Sequence, residues 1–345
     1  MNIIAMCAVS PGLTAIKFAL VMGVKIKKVI GLSDTRNRDK NLISGIIDIG
    51  DFCKANNLEF SYVSDYSLKT ESPAILGDDV DLIWVCGWQR LLPKSFLNIA
   101  KMGVLGAHGS CDGITKGRGR SPLNWALMIG AKKFEVSIFK ISDGVDDGDI
   151  ISSCDFELSD HDTISSSYIK YSILVAKLIG QVYQKPKLLI SKQKQKGEIF
   201  YFPKRIPDDG VIDWGMCTID IHNQIRALVD PYPNSFTLIG DKKIFIKKSI
   251  PLNMKSSFEL GKVAHVFDDN SFLVGCKDGL IHIIDYEKED KEHSIKVGLK
   301  FRSVCINETI SKIIKRFKSE FPGKRVNPTL INFWSSNNVD IKNIK

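Results

Sequence analysis

The sequence predicts an α/β protein: a mostly parallel sheet flanked by helices over the first half, then a smaller β-rich domain. Three observations carry this. The first half alternates apolar, β-branched runs with amphipathic stretches at helical spacing. After Gln184 the chain turns to short β-type runs separated by Gly-Asp and Asp-Gly turns. At 345 residues it is also too long for one small core and suits two domains.

The elements follow in order. Ile3–Val9 reads as a strand. Ser10-Pro11-Gly12 opens a helix over Leu13–Met22, because a proline in the first turn sacrifices no helical hydrogen bond. Val29–Leu32, Glu59–Val63, Asp81–Val85 and Val104–Ala107 read as strands. Helices are expected over Ile47–Asn56, Pro93–Ala100 and Ser121–Ile129, the last stopped by Gly130. Glu135–Ile141 and Ile150–Leu158 are further strands, and Thr163–Tyr183 is a long amphipathic helix. Beyond a polar, Lys-rich stretch lie a helix near Thr218–Val229 and strands at Phe236–Ile239, Lys243–Lys248, Gly261–Val266, Phe272–Cys276 and Leu280–Tyr286. Asn307–Phe317 reads as helical, and Asn337–Lys345 as a polar, disordered end. The expected domains are 1–190, a linker over 191–205, a β-rich domain over 206–290, and a tail over 291–345. In a parallel sheet, ligands bind beyond the carboxyl ends of the strands where the strand order reverses. The segments after the fourth and fifth strands are therefore where chemistry is expected.

Composition excludes several classes. Apolar residues make up 44% and charged residues 25%, ordinary values for a globular protein. No apolar run approaches the roughly 18 residues of a membrane helix. The Met1–Met6 segment reads as a strand rather than a signal peptide, so a cytoplasmic location is expected. The eight cysteines are scattered, with no Cys-x-x-Cys, which excludes zinc ribbons and a disulfide framework. The net charge of +9 suits nucleic acid or anionic small molecules. Between Lys185 and Arg205 stand seven Lys/Arg and one acid, Glu198, which reads as a solvated linker.

His108 sits directly after the fifth strand, in Gly103-Val-Leu-Gly-Ala-His-Gly-Ser110. Taken alone, such a histidine is more often a packed structural residue. Two neighbours change that reading. Lys116-Gly-Arg-Gly-Arg-Ser-Pro-Leu-Asn-Trp125 is a basic, glycine-rich turn entering a helix, where backbone N–H groups with Arg118 and Arg120 can hold an anion. Ser142-Asp-Gly-Val-Asp-Asp-Gly-Asp149 is an acidic loop between strands. It lacks calcium-loop spacing, and the twelfth position from Asp143 is Cys154 rather than Glu, so no metal is expected. A carboxylate from this loop beside His108 would orient the imidazole for acid–base work.

These motifs resemble the N10-formyltetrahydrofolate-dependent formyltransferases. That family includes methionyl-tRNA formyltransferase, glycinamide ribonucleotide formyltransferase and the amino-sugar N-formyltransferases. Trp88-Gln-Arg-Leu-Leu-Pro93 is similar to the family's pterin-receiving loop. Pro203–Trp214 and Arg226–Phe236 resemble the C-terminal domain of the tRNA and sugar enzymes. The resemblance spans roughly residues 1–285. It implies a Rossmann-like formyltransferase domain and an OB-like C-terminal domain, with N10-formyltetrahydrofolate as co-substrate. His108 and Asp146 match the catalytic pair, and Arg90, Leu92, Leu97, Ser142 and Asp143 the pterin pocket. Ser110, Lys116, Arg118, Arg120 and Asn124 are expected on the acceptor side.

Two departures stand out. The family's Asn-x-His has an Asn that donates to the formyl oxygen, and here that position is Gly106. Losing such a donor costs about 10²–10³ in rate. A protonated His108, an ordered water, or a side chain such as Asn124 or Ser110 could supply the bond; otherwise the chain is a weakened, folate- or nucleic-acid-binding relative. The other departure is Cys111-Asp-Gly-Ile-Thr115, two residues longer than the family's Leu-Leu-Pro loop. Cys111 is not expected as a nucleophile, because formyl transfer needs no covalent intermediate.

The acceptor is expected to be an activated amino sugar, with tRNA as the alternative. The loop matching the tRNA enzyme's basic loop, Ser33–Asn41, holds Arg36, Arg38 and Lys40 against Asp34 and Asp39, a balance of only +1. Phosphate-backbone binding asks for more.

Overall fold

A computed structural model describes residues 1–33, 43–191, 193–255, 257–290 and 294–340. The basic loop with Arg36, Arg38 and Lys40 lies outside the described residues. In chain order the principal strands are β1 Ile3–Met6, β2 Ile26–Leu32, β3 Glu59–Val63, β4 Leu82–Val85, β5 Val104–Ser110, β6 Lys133–Lys140, β7 Ile150–Glu157, β8 Ser235–Ile239, β9 Lys242–Asn253, β10 Val263–Val266, β11 Phe272–Cys276 and β12 Gly279–Lys288. The helices are α1 Ser10–Val21, α2 Gly50–Ala55, α3 Lys94–Leu97, α4 Gly113–Lys116, α5 Pro122–Met128, α6 Ile164–Gln184, α7 Thr218–Arg226, α8 Ile306–Glu320 and α9 Pro328–Ser336. The chain divides into two compact units.

The first unit comprises residues 1–118, 133–157 and 166–199. Its seven-stranded sheet has the order β3-β2-β1-β4-β5-β6-β7. The five strands from β3 to β5 are parallel, and β6 and β7 are antiparallel additions. All four residues of β1 and of β4 are buried, as parallel strands covered on both faces require. Ile4, Met6, Ile30, Ile83, Val85 and Phe96 belong to one core cluster. The order reverses between β1 and β4, so the segments after those strands flank the switch point.

Antiparallel pairing with β6 corrects one expectation. The fifth strand runs on to Ser110, and His108 sits inside it, opposite Ser137, rather than after it. The helices expected near Ile47–Asn56 and Pro93–Ala100 shorten to α2 and α3. Among the described residues, no helix is long and apolar enough to cross a membrane.

The second unit comprises residues 119–132, 158–165 and 200–345. Its five strands form an antiparallel sheet of order β8-β9-β12-β11-β10. Trp214, Phe272, Ile281, Ile283 and Phe301 pack one core, with Trp214 and Phe301 stacked at 5.7 Å. Arg226, at the head of the second motif stretch, is buried and serves this unit's architecture. Its Nη1 donates to the carbonyls of Ser159 and Asp162, both at 2.8 Å.

Residues 306–336 are held by packing. Ile310, Ile313, Ile314 and Phe317 on α8 recur at i, i+3, i+4 and i+7 and are buried. The Asp213 carboxylate accepts from the Ile306 N–H at 2.8 Å and so satisfies the first turn. Helix α9, absent from the sequence expectation, starts at an Asn327 cap with Pro328 next, and Asn327 Oδ1 accepts from the Leu330 N–H at 3.0 Å. It buries Trp334 edge-on to Trp125 at 5.8 Å.

Candidate active site

The His108–Asp146 pair lies within the first unit. His108 Nδ1 stands 3.6 Å from Asp146 Oδ2, with both side chains largely buried. The other ring nitrogen, Nε2, lies 2.7 Å from the Gly117 carbonyl oxygen. A carbonyl can only accept, so Nε2 carries a hydrogen and donates it. The ring is thus held on one side by the carbonyl of the glycine-arginine turn, and its other nitrogen faces the carboxylate of the acidic loop. Asp146 adopts a left-handed backbone, φ 50°, which Asp tolerates better than most residues.

The positions expected to receive the pterin also lie within this unit. Trp88 Nε1 donates to the Tyr66 carbonyl at 3.1 Å, and the Tyr66 hydroxyl accepts from the Gln89 N–H at 2.8 Å. The Arg90 guanidinium lies 4.9 Å above the Tyr66 ring. Leu92 is buried in the core cluster, and Leu97 and Ile141 pack against it. Lys94 pairs with Asp143 at 3.2 Å, tying α3 to the acidic loop. Within that loop Ser142 donates to Asp147. Arg90, Leu92, Leu97, Ser142 and Asp143 therefore belong to two segments that the Lys94–Asp143 pair joins.

Gly106 lies on β5 between β4 and β6. A Cβ built there would meet Ile141 at 3.0 Å and Phe139 at 3.2 Å. The room that an Asn side chain would need is filled by apolar groups. The longer loop after Ser110 forms α4, which packs on β5 and β6 and buries Ile114. Burial pushes the Cys111 thiol up to about 12, so it is no thiolate nucleophile at neutral pH.

Three residues expected on the acceptor side are buried and bonded within the chain. Ser110 is fully buried, and its hydroxyl accepts from the Asp112 N–H at 3.0 Å, closing the turn after β5. Asn124 is 1% exposed, and its amide donates to the Ala227 carbonyl at 2.8 Å, joining α5 to the end of α7 within the second unit. Arg118 is also buried, with Nε and Nη2 both donating to Gln195 Oε1 at 3.1 and 2.8 Å. Lys116 is exposed on α4, and Arg120 is half-buried in the second unit, its N–H donating to the Phe202 carbonyl at 3.0 Å. Tyr66, Lys94 and Gln195 were not anticipated. No local signal marks them, because their roles come from segments distant in the chain.

A mostly parallel sheet carrying a His–Asp pair, and a separate antiparallel unit, define a two-unit protein of α/β type. Residues 63–180 match the family model described as formyl transferase, and residues 205–296 match formyl transferase, C-terminal domain. The chain belongs to the formyltransferase family. It is 31% identical over 274 residues to the bifunctional polymyxin resistance protein ArnA of Wigglesworthia glossinidia brevipalpis, a match covering 74% of this chain and 40% of ArnA. It is 31% identical over 209 residues to the methionyl-tRNA formyltransferase of Thermodesulfovibrio yellowstonii, covering 60% of this chain and 66% of the relative. In fold it is similar to the N-formyltransferase from Helicobacter canadensis, whose crystal structure holds folinic acid and dTDP-3-aminofucose. That similarity has a TM-score of 0.53 at 17% identity and covers 83% of this chain and 99% of that one.

Proposed function

We propose that the chain is an N-formyltransferase that moves the formyl group of N10-formyltetrahydrofolate to the amine of an activated, nucleotide-linked amino sugar. The observation that carries the reading is the His108–Asp146 pair, 3.6 Å apart, beside a loop joined to the Trp88–Pro93 segment. The acceptor amine attacks the formyl carbon, a C–N bond forms, the bond to N10 breaks, and the amine's proton ends on N10. His108 donates its Nε2–H to the developing oxyanion in place of the Gly117 carbonyl, and so takes over the task that Gly106 cannot perform. Asp146 faces the other ring nitrogen and orients the ring. Leu92 and Leu97 offer apolar contact to the pterin, with Arg90, Ser142 and Asp143 at its polar edge. Lys116, exposed on α4, would meet acceptor phosphates.

The Helicobacter enzyme, solved with a nucleotide-linked amino sugar, favours the sugar acceptor. The identity to a methionyl-tRNA formyltransferase and the net charge of +9 favour tRNA as the second reading. Tetrahydrofolate release, followed with a panel of nucleotide amino sugars and with charged initiator tRNA, separates them. Release is expected only with an amino-sugar acceptor, and His108→Ala should lower it by about 10²–10⁴. An unchanged rate in His108→Ala refutes the mechanism. Turnover of tRNA without turnover of amino sugars moves the assignment to tRNA.

A further inference from the structure

The Lys-rich stretch after α6 is bonded to the acidic loop. Gln193 pairs with Ile150 at the start of β7, each N–H donating to the other's carbonyl at 2.7 Å. This brings Gln195 over the loop. Gln195 Nε2 donates to the Asp146 carbonyl at 2.7 Å and to the Gly148 carbonyl at 2.9 Å. Its Oε1 accepts two hydrogen bonds from buried Arg118. The amide's two donors and two acceptor sites are all occupied. Arg118 directly follows Gly117, whose carbonyl accepts from His108.

The loop needs such support. Asp146 is held at φ 50°, a region that non-glycine residues seldom occupy. Two residues on, a Cβ at Gly148 would lie 1.6 Å from the Lys140 carbonyl oxygen, so only glycine fits there. The segment between them is fixed at one end by that close approach and across its middle by one glutamine amide.

We infer that Gln195, backed by Arg118, is a positioning residue that holds the Asp146 backbone so that its carboxylate faces His108. The inference rests on the reading of His108–Asp146 as the reacting pair. Gln195 touches no reacting atom, and the role inferred for it is exerted through the Asp146 backbone. Two substitutions separate this role from general packing. Gln195→Leu removes all four hydrogen bonds at similar size. Gln195→Glu keeps the acceptor for Arg118 and removes both donors to the loop.

Three readouts apply to the full chain: steady-state kinetics of formyl transfer, amide hydrogen exchange over residues 145–149, and the ¹⁵N shifts of the His108 ring across pH. Both variants should lower kcat by about 10- to 100-fold through misplacement of the carboxylate, leave KM for formyltetrahydrofolate within about twofold, and speed exchange in the loop. The ring shifts of each should move toward those of Asp146→Asn. In the Asp146→Asn background, Gln195→Leu should cost nothing further, because it acts through a group already neutralised. The same fold-loss in both backgrounds, or wild-type ring shifts in both Gln195 variants, overturns the inference. If the wild-type chain transfers no formyl group to any acceptor, the activity reading falls, and exchange and ring shifts still decide whether the clamp holds Asp146. A Gln195→Leu chain that fails to fold leaves Gln195→Glu to decide.

Discussion

Gly106 shows how one residue can close off a route that its family resemblance predicts. With Ile141 and Phe139 at 3.0 and 3.2 Å from its missing Cβ, the site is packed rather than vacant. Gly106→Asn should therefore destabilise the fold by about 1–3 kcal/mol, the usual cost of overpacking. Ile141→Val in the same chain should recover part of that loss, because the two residues share the space. Urea unfolding midpoints of the single and double variants check this; a neutral Gly106→Asn would show that the strand yields. Residue types in the motifs were legible, and directions were not. His108 and Asp146 could be picked out because the turn and the acidic loop keep a recognisable order. The internal hydrogen bonds of Ser110, Arg118 and Asn124 could not be read, because a polar residue in a motif looks the same whether it faces a ligand or closes a turn. Gln195 gave no signal at all inside Ser191-Lys-Gln-Lys-Gln-Lys-Gly197.

At the scale of elements, the alternation of the first half was readable because β1 and β4 are buried runs and the helices are periodic. Strand order was not readable, since pairing joins segments far apart in sequence. The antiparallel β6 changed the site most, by carrying β5 through His108 to Ser110. The terminal helices show the same limit. The buried stripe of α8 was visible as a period, whereas α9 was missed despite its Asn327-Pro328 start, because one short helix is weak evidence without its partner surface. Phe317 is 2% exposed on α8 and lies 5.6 Å from Phe321. Phe317→Ala should cost about 3–5 kcal/mol, in line with other buried aromatic truncations, read as a lower midpoint in thermal or urea unfolding. A loss under about 1 kcal/mol would place α8 outside the cooperative fold.

For the whole molecule, family membership makes a binding prediction that needs no acceptor. Folinic acid at about 100 times its Kd should stabilise the folded chain by about 2.7 kcal/mol if it binds only that state. Differential scanning calorimetry across a folinic acid series should show a melting temperature that climbs with concentration, and a flat series would count against the folate site. The matched region spans 40% of the ArnA relative's length.

The Gln193–Ile150 pairing and the Gln195 contacts also bear on how this chain can be cut and rejoined. A hydrophilic run of lysines and glutamines is where an engineer would open the backbone, insert a tag or exchange one half for another. Here a break between residues 190 and 196 would leave every recognisable motif residue in place and still release the carboxylate loop. Chimeras joined in that interval should behave as if Asp146 itself had been altered, and junctions beyond Gly197 should spare it.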